Sequence, residues 1–334
     1  VKAIVLSAYG SADNFEQALL PVPEVRPGEV RIKVTAISFN PVDCQIRRGQ
    51  PESHAARSMI LGRDLSGTVD AAHEGVTGLR VGDDVFGNVC NLASSGAYAE
   101  YVSLPAELVA KKPASLTHLH AAAMPVAGVT AALAIAKANA SGKTSMFIAG
   151  GAGGVGSFAI QLARQRGVRK LVTTAGSANS RHYLIEHCGL RSSQIVNYKD
   201  AGFMEQAISR NGGKFDIALD FVGGRMLSAC CALLAVDGHL ASVTDAPGRD
   251  DFELLFQKNA SFHSVGAHAY SLSEDRAAWG KYRELLDQLL RHFDGGALAL
   301  PRITHVGKLS PEVVRYAHAL LDSNAVQGKL VMTC

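Results

Sequence analysis

Ser145-Met146-Phe147-Ile148-Ala149-Gly150-Gly151-Ala152-Gly153-Gly154-Val155-Gly156, continuing into Ser157-Phe158-Ala159-Ile160-Gln161-Leu162-Ala163-Arg164, decides the fold. A short apolar run ends in a glycine cluster, and the cluster opens a segment with apolar residues at helical spacing, so the stretch reads as strand, tight turn and helix. The spacing Gly151-x-Gly153-x-x-Gly156 lets the backbone turn sharply and approach a pyrophosphate, whose charge then meets the exposed N–H groups of the helix start. A glycine turn alone is a weak signal, since such turns also serve only to redirect a chain. Context strengthens it: about 20 residues after Gly153 a second strand-like run, Lys170-Leu171-Val172-Thr173-Thr174, follows at the spacing of a first βαβ unit. The loop Gly151, Ala152, Gly153, Gly154, Val155 and Gly156 is therefore the candidate phosphate cradle.

Outward from this stretch the chain has two textures. From Val1 to about Leu119 short strands alternate with turns, at Ala3–Leu6, Glu29–Ile37, Gly67–Ala71 and Asp84–Gly87, which suggests an antiparallel, barrel-like unit. From about Ala122 the rhythm is strand, helix, strand, helix. Six strands are expected, at Ser145–Ala149, Leu171–Thr174, Gln194–Asn197, Asp216–Leu219, His239–Val243 and Phe262–Ala267. Helical patterns lie between most of them, at Gly154–Arg166, Arg181–Cys188, Gly202–Asn211 and Arg225–Ala235, and an amphipathic run at Arg276–Phe293 closes the set. That is the content of a doubly wound parallel sheet. After Gly295-Gly296 short elements return, and Gly328–Met332 reads as a strand rejoining the first unit. The expected division is residues 1–121 with 296–334 as a catalytic domain and residues 122–295 as a dinucleotide-binding domain.

Composition limits the functions to consider. The 334 residues suggest about two domains, and 33 basic against 30 acidic residues leave a net charge of +3, with no long basic run to attract nucleic acid or an anionic membrane. The most apolar stretch, Ala121–Ala136, is interrupted by Pro125 and Gly128 and is too short to span a bilayer, and no charged-then-apolar leader opens the sequence. Six cysteines without paired spacing fit a reducing compartment, so a cytoplasmic protein is expected.

Several motifs in order resemble the medium-chain dehydrogenase/reductase superfamily, in particular its zinc-independent quinone oxidoreductase group. They are Ser38-Phe39-Asn40-Pro41-Val42-Asp43, Leu61 to Val69, Val81 to Val85, Gly96 to Tyr101, Gly128 to Ala132, Gly150 to Gly156, Val196-Asn197-Tyr198 and Gln327-Gly328-Lys329, and they cover nearly the whole chain. The resemblance implies an α/β protein with a GroES-like antiparallel β-barrel catalytic domain and a Rossmann domain. It also implies the positions that hold catalytic zinc in the superfamily's alcohol dehydrogenases, which here carry Asn40, then Arg63 and Asp64, then approximately Val126. Catalytic zinc needs three N, S or O donors and an open position, which this set does not supply, so no metal is expected. His73-Glu74 reads as a solvated turn, His118 and His120 as a surface pair, and Cys90 stands alone where a structural zinc lobe needs four cysteines.

Cofactor choice turns on the end of the second strand, where an acidic residue would grip the ribose 2′-hydroxyl of NAD. Ala175-Gly176-Ser177-Ala178-Asn179-Ser180-Arg181 contains none, which favours NADPH. In the resembled group a lysine near this turn and a tyrosine on the next strand hold the phosphate; Arg181 lies within one residue of the former and Tyr198 matches the latter, with Ser177 in reach. An ordinary first-turn helix residue and a strand-end packing residue are the alternatives for Arg181 and Tyr198.

Without a metal to activate an alcohol, hydride transfer from NADPH to a quinone or to a carbon–carbon double bond conjugated to a carbonyl is the expected chemistry. Asn40 is the candidate donor to the developing oxyanion, with Thr130 beside it by resemblance. Tyr98 is a candidate proton donor, although a barrel-packing role is the stronger reading. Lys329 is expected from the terminal motif to approach the cofactor, a surface lysine being the alternative, and Asp64 to brace the fold beside Arg63. Gly223 and Val243–Asp245 lie at strand carboxyl ends, where such sheets bind ligands, and Phe221 and Val243 are expected on the nicotinamide rim. A small-molecule acceptor and a homodimer joined through Phe262–Ala267 complete the reading. The alternatives are an NADPH-binding regulatory or structural protein without significant turnover and, last, a zinc-type alcohol dehydrogenase.

Overall fold

The computed structural model describes residues 1–50, 58–89, 95–142, 144–273, 275–294, 296 and 298–334. The chain opens with β1 (Lys2–Leu6), β2 (Phe15–Leu19), β3 (Glu29–Ser38), α1 (Pro41–Arg47), β4 (Asp64–Ala72), β5 (Asp84–Asn88), β6 (Tyr101–Pro105), β7 (Val109–Lys111), α2 (His118–Ala122) and α3 (Pro125–Lys137). It then alternates through β8 (Ser145–Ala149), α4 (Gly154–Gln165), β9 (Lys170–Ala175), α5 (Ala178–Glu186), β10 (Ile195–Asn197), α6 (Phe203–Asn211), β11 (Phe215–Asp220), α7 (Arg225–Leu233), β12 (Leu234–Ser242), α8 (Arg249–Gln257) and β13 (Ser261–Ser264). The last elements are α9 (His268–Leu272), α10 (Arg276–Asp294), β14 (Ile303–Lys308), α11 (Pro311–Asp322) and β15 (Lys329–Thr333).

Two compact units result, one of residues 1–129, 267–291 and 300–334, the other of residues 130–266 and 292–299. Most of α10, placed by the sequence reading in the dinucleotide-binding part, belongs to the first unit.

The first unit is built on the sheet β14-β15-β3-β4-β5-β7, with β6 also on β3 and all but the β14–β15 pair antiparallel. β3 is its spine because it is long and its side chains alternate, burying Ile32, Val34, Ala36 and Ile37. The C-terminal strand β15 does rejoin this unit, pairing Val331 with Ser38. That register brings the ends of β15, β3, β4 and β5 side by side, because Ser38 also faces Asp64 and Asp64 faces Asn88.

In the second unit the parallel order is β10-β9-β8-β11-β12-β13, the doubly wound arrangement with its reversal beside β8. β8 is buried along its whole length, as a central strand covered on both faces must be. Phe147 and Phe215 meet at 5.5 Å within a core that includes Val172, Leu234 and Leu240; each such buried side chain contributes about 1.5–3 kcal/mol. The fold class is thus α/β, with a GroES-like antiparallel part and a Rossmann-type parallel part. No described helix is long and apolar enough to cross a membrane.

Candidate functional site

Glycine geometry builds the cofactor cradle in the second unit. Gly150 turns the chain at φ +84°; a Cβ on Gly151 would run into Thr173 Oγ1, and one on Gly156 into the Gly150 backbone. The turn is held by Gly150 N–H donating to Thr174 Oγ1 at 3.0 Å. Gly153 caps α4 without a side chain, so the N–H groups of Gly154, Val155 and Gly156 have neither an intrahelical acceptor nor a side-chain cap. A pyrophosphate fits there, as anion and as acceptor.

Asp220, which the sequence reading passed over, shapes the neighbouring rim. Fully buried at the end of β11, it accepts from the N–H groups of Val222 and Gly223, each at 3.0 Å, and from the hydroxyls of Ser242 at 3.0 Å and Thr244 at 3.2 Å. One carboxylate thereby fixes the carboxyl ends of β11 and β12, including Val243, whose N–H donates to Asp220 O. An acid followed by two apolar residues and glycine at a strand end was the available signal, but acceptor counts are invisible in a sequence.

At the end of β9 no carboxylate occurs, and the Tyr198 ring lies against Gly176 so closely that any Cβ there would strike it. The Ser177 hydroxyl is the cap of α5, accepting from Ser180 N–H at 3.1 Å. Arg181 corrects the sequence reading. Its guanidinium donates to Ile195 O at 3.1 Å and Ser192 O at 3.2 Å, at the amino end of β10, because α5 runs back from the turn and carries residue 181 down with it. It holds backbone carbonyls and not the phosphate position. Lys199, exposed beside Tyr198, is the nearest cation on that loop in sequence. A cleft of about 500 Å³ lined by Arg164, Arg169 and Arg191 lies at the opposite, amino ends of β9 and β10 and belongs to neither feature.

The first unit holds a buried polar cluster at its row of strand ends. Asn40 caps α1 ahead of Pro41, and its own N–H donates to Asp43 Oδ2 at 2.8 Å. The Asn40 carboxamide lies between an acceptor and a donor: Nδ2 donates to Asp64 Oδ2 at 2.9 Å and Oδ1 accepts from Lys329 Nζ at 2.5 Å. An ammonium only donates and a carboxylate only accepts, so the pair fixes which way the amide faces. Lys329 also donates to Phe39 O at 3.0 Å and lies 3.4 Å from Asp64 Oδ2, while Asp64 Oδ1 accepts from Val126 N–H at 2.9 Å. Asn40, Asp64 and Lys329 are 2%, 0% and 4% exposed, so little of the cluster meets solvent.

Burial pushes Asp64 up and Lys329 down, each opposed by the charge of the other. Burial likewise raises Asp43 to about 7 against the Asn40 N–H and the Arg63 charge. Gly328 makes the Lys329 placement possible, at φ +70° with Arg302 O where a Cβ would stand. Lys329 has spent its three hydrogens inside the unit, whereas Asn40 keeps one N–H in hand.

Tyr98 is placed in the core and not in a proton-donating position. Its ring is fully buried against Phe15 and Phe39, and its hydroxyl sits 3.0 Å from His318 Nε2. Burial pushes its pKa well above the ordinary tyrosine value, and the hydroxyl faces His318 inside the core. Thr130 is buried on α3, in the second unit.

Comparison with known proteins agrees with this architecture. The alcohol dehydrogenase GroES-like domain matches residues 26–114, and the zinc-binding dehydrogenase family matches residues 190–332. A 2-methylene-furan-3-one reductase from Solanum lycopersicum is 33% identical over 340 residues, spanning 99% of this chain and 79% of the relative. The chain belongs to the medium-chain dehydrogenase/reductase superfamily. Among solved members of the superfamily, the quinone oxidoreductase of Coxiella burnetii superposes with a TM-score of 0.85 at 30% identity, covering 100% of this chain and 99% of that one. A mycobacterial member solved with NADPH gives 0.86 at 26% identity, covering 100% and 99%. The chain also matches mycobacterial polyketide synthases, spanning 14% of a Mycobacterium tuberculosis relative at 32% identity.

Zinc is implied by one of these family names, and the residues do not fit it. At the positions that carry ligands in zinc-using members stand the Asn40 amide, already engaged on both ends, the Arg63 cation and the apolar Val126. Asp64 already accepts from three donors, the Lys329 ammonium among them. Among the described residues no group of three or more His, Cys, Asp or Glu is arranged to hold a metal. His118 and His120 turn to different partners, Ser66 and Thr117, and His73 Nδ1 accepts from Gly75 N–H within its own turn; Cys90 lies outside the described residues.

Proposed function

We propose that this protein is an NADPH-dependent, zinc-independent reductase of quinones or α,β-unsaturated carbonyls. The observation that carries the reading is the buried Asn40–Asp64–Lys329 cluster, which puts a fixed hydrogen-bond donor, and no metal-ligand set, at the superfamily's zinc position. Relatives named for enone and quinone reduction support it.

The loop from Gly151 to Gly156 is the proposed holder of the pyrophosphate, with Ser177 and Tyr198 near the ribose 2′-phosphate and Val243 on the nicotinamide rim. Bound NADPH would supply the hydride. The acceptor gains it at a carbon conjugated to the carbonyl, its displaced electron pair collects on oxygen, and water supplies the proton that completes the two-electron reduction. Asn40 uses its remaining N–H as an oxyanion donor, and the clamp around it keeps that donor from reorganising. Thr130 is kept as a proposed site residue.

The absence of an acid after β9 supports NADPH over NADH, and titration of both cofactors tests it: tighter NADH binding would remove that part. A homodimer through the edge strand β13 is the proposed assembly, since no described strand pairs with its outer side. Sedimentation at micromolar concentration giving a monomer would end it. The activity test is NADPH oxidation with quinones and enones; silence across the panel would favour a binding protein without turnover.

A further inference from the structure

Arg63 immediately precedes β4 at the same row of strand ends as Asn40, and its backbone carbonyl accepts from Val89 N–H beyond β5. The residue is only 5% exposed. Nε is enclosed without a partner, and neither terminal nitrogen has a hydrogen-bond or ion-pair acceptor among the described residues. The Arg63 charge acts on Asp43, whose Oδ2 accepts from Asn40 N–H and whose Oδ1 is buried without a hydrogen-bond partner, while Asp64 bonds Asn40, Lys329 and Val126. Along the adjoining row, Ser38 Oγ and Asn88 Oδ1 are also buried and unpartnered.

An enclosed guanidinium Nε–H without an acceptor is unfavourable, since it loses water for nothing in return. The other arginines enclosed in this unit have such acceptors: Arg47 reaches Asp322 at 2.8 Å and Arg315 reaches Phe15 O at 2.6 Å. Arg47 and Arg315 also leave a nitrogen unserved, but Arg63 differs from both in making no hydrogen bond or ion pair among the described residues, and it directly precedes Asp64, to which the Asn40 carboxamide donates.

We propose that Arg63 contacts the substrate and takes the oxygen on which negative charge gathers, as a fixed cation in place of a metal. The inference rests on the reductase reading above. The guanidinium stays protonated throughout: it donates charge-assisted hydrogen bonds to the carbonyl oxygen as the electron pair moves there, and the proton that ends the reaction comes from water. Recognition then selects acceptors with an accessible carbonyl or quinone oxygen and favours phenolates, which present a full charge on a planar conjugated oxygen.

The test needs a readout besides turnover. 4-Nitrophenol absorbs differently as phenol and phenolate, so its titration into the cofactor-free protein reports both binding and ionisation. Wild type should bind the phenolate form and Arg63→Met should bind it about tenfold or more weakly, with Arg63→Lys between them because it keeps charge but not the fork. NADPH binding should change less than about twofold, and turnover with an enone or quinone should fall about a hundredfold or more in Arg63→Met. The melting temperature should hold or rise, because the variant removes an enclosed N–H that has no acceptor. Unchanged phenolate binding in both variants overturns the proposal, as does a loss confined to NADPH affinity. A lowered melting temperature with intact turnover assigns Arg63 to the fold and also overturns it. A wild type that reduces nothing yet loses phenolate in Arg63→Met supports the anion site and sinks the reductase reading alone.

Discussion

Replacing Lys329 by Met tests the buried clamp, since methionine fills similar space but removes the ammonium. Lys329 Nζ serves Phe39 O at 3.0 Å, Asn40 Oδ1 at 2.5 Å and Asp64 Oδ2 at 3.4 Å, all in a region closed to water. Each acceptor left buried and unserved costs about 1–3 kcal/mol, and breaking a buried ion pair from one side costs about 3–5 kcal/mol in total. Asp64 keeps Asn40 Nδ2 and Val126 N–H, which argues for the lower half of that range. The chain's one tryptophan, Trp279, lies on α10 in the same unit, so urea unfolding followed by its fluorescence reads this unit. Adding Asp64→Asn should recover part of the loss, because the unpaired charge disappears. NADPH affinity should change less than about twofold, since the ammonium is committed inside the unit. A stability loss under about 1 kcal/mol for Lys329→Met would refute the clamp.

Other consequences are direct. Arg181→Ala should destabilise the second unit by about 1–2 kcal/mol through its two lost carbonyl contacts and weaken NADPH and NADH equally; a tenfold loss for NADPH alone would restore Arg181 as the phosphate cation. Tyr98→Phe should cost about 1 kcal/mol through His318 and leave turnover within about twofold, so a collapse of turnover in a folded variant would return Tyr98 to the mechanism. His318 is held neutral, its pKa lowered to about 3 by burial and then by the Arg47 charge, against an ordinary value of 6.5. Between those values the unfolded chain takes up a proton that the folded chain refuses, so stability should fall as pH drops from about 6.5 toward 3, by at most about 1.4 kcal/mol per unit. Melting temperatures of wild type and His318→Gln across that window check it, and parallel curves would exclude the histidine.

Much of the fold was readable because periodicity and glycine placement are local properties. The strand Ser145–Ala149 and the start of α4 at Gly154 match the expectation, and β9, β11 and α7 agree within a residue or two. Failures came where tertiary contact decides. α8 was missed because it carries Phe252 and Phe256 on its exposed side, which blurs the apolar stripe; β6 is buried from Val102 to Pro105 and so shows no alternation, and β7 is too short to show any. β12 begins at Leu234, well before the expected His239, because its register shift and Asp237 at φ +59° look like a turn in the sequence. In the candidate site, residue types at motif positions led to Asn40 and Lys329, but partner counts required coordinates. Arg181 shows the reverse: the right residue type one turn along a helix points to the other end of the strand.

NADPH oxidation by the purified protein, followed against a panel of quinones, α,β-unsaturated carbonyls and simple alcohols with NADP⁺, beside elemental analysis for zinc and an Asn40→Ala control, reaches the central claim most directly. Conjugated acceptors should be reduced without stoichiometric zinc and with full activity in a chelator, alcohols should remain unoxidised, and Asn40→Ala should lose about two orders of magnitude in turnover. Robust alcohol oxidation that disappears when bound zinc is stripped would contradict it.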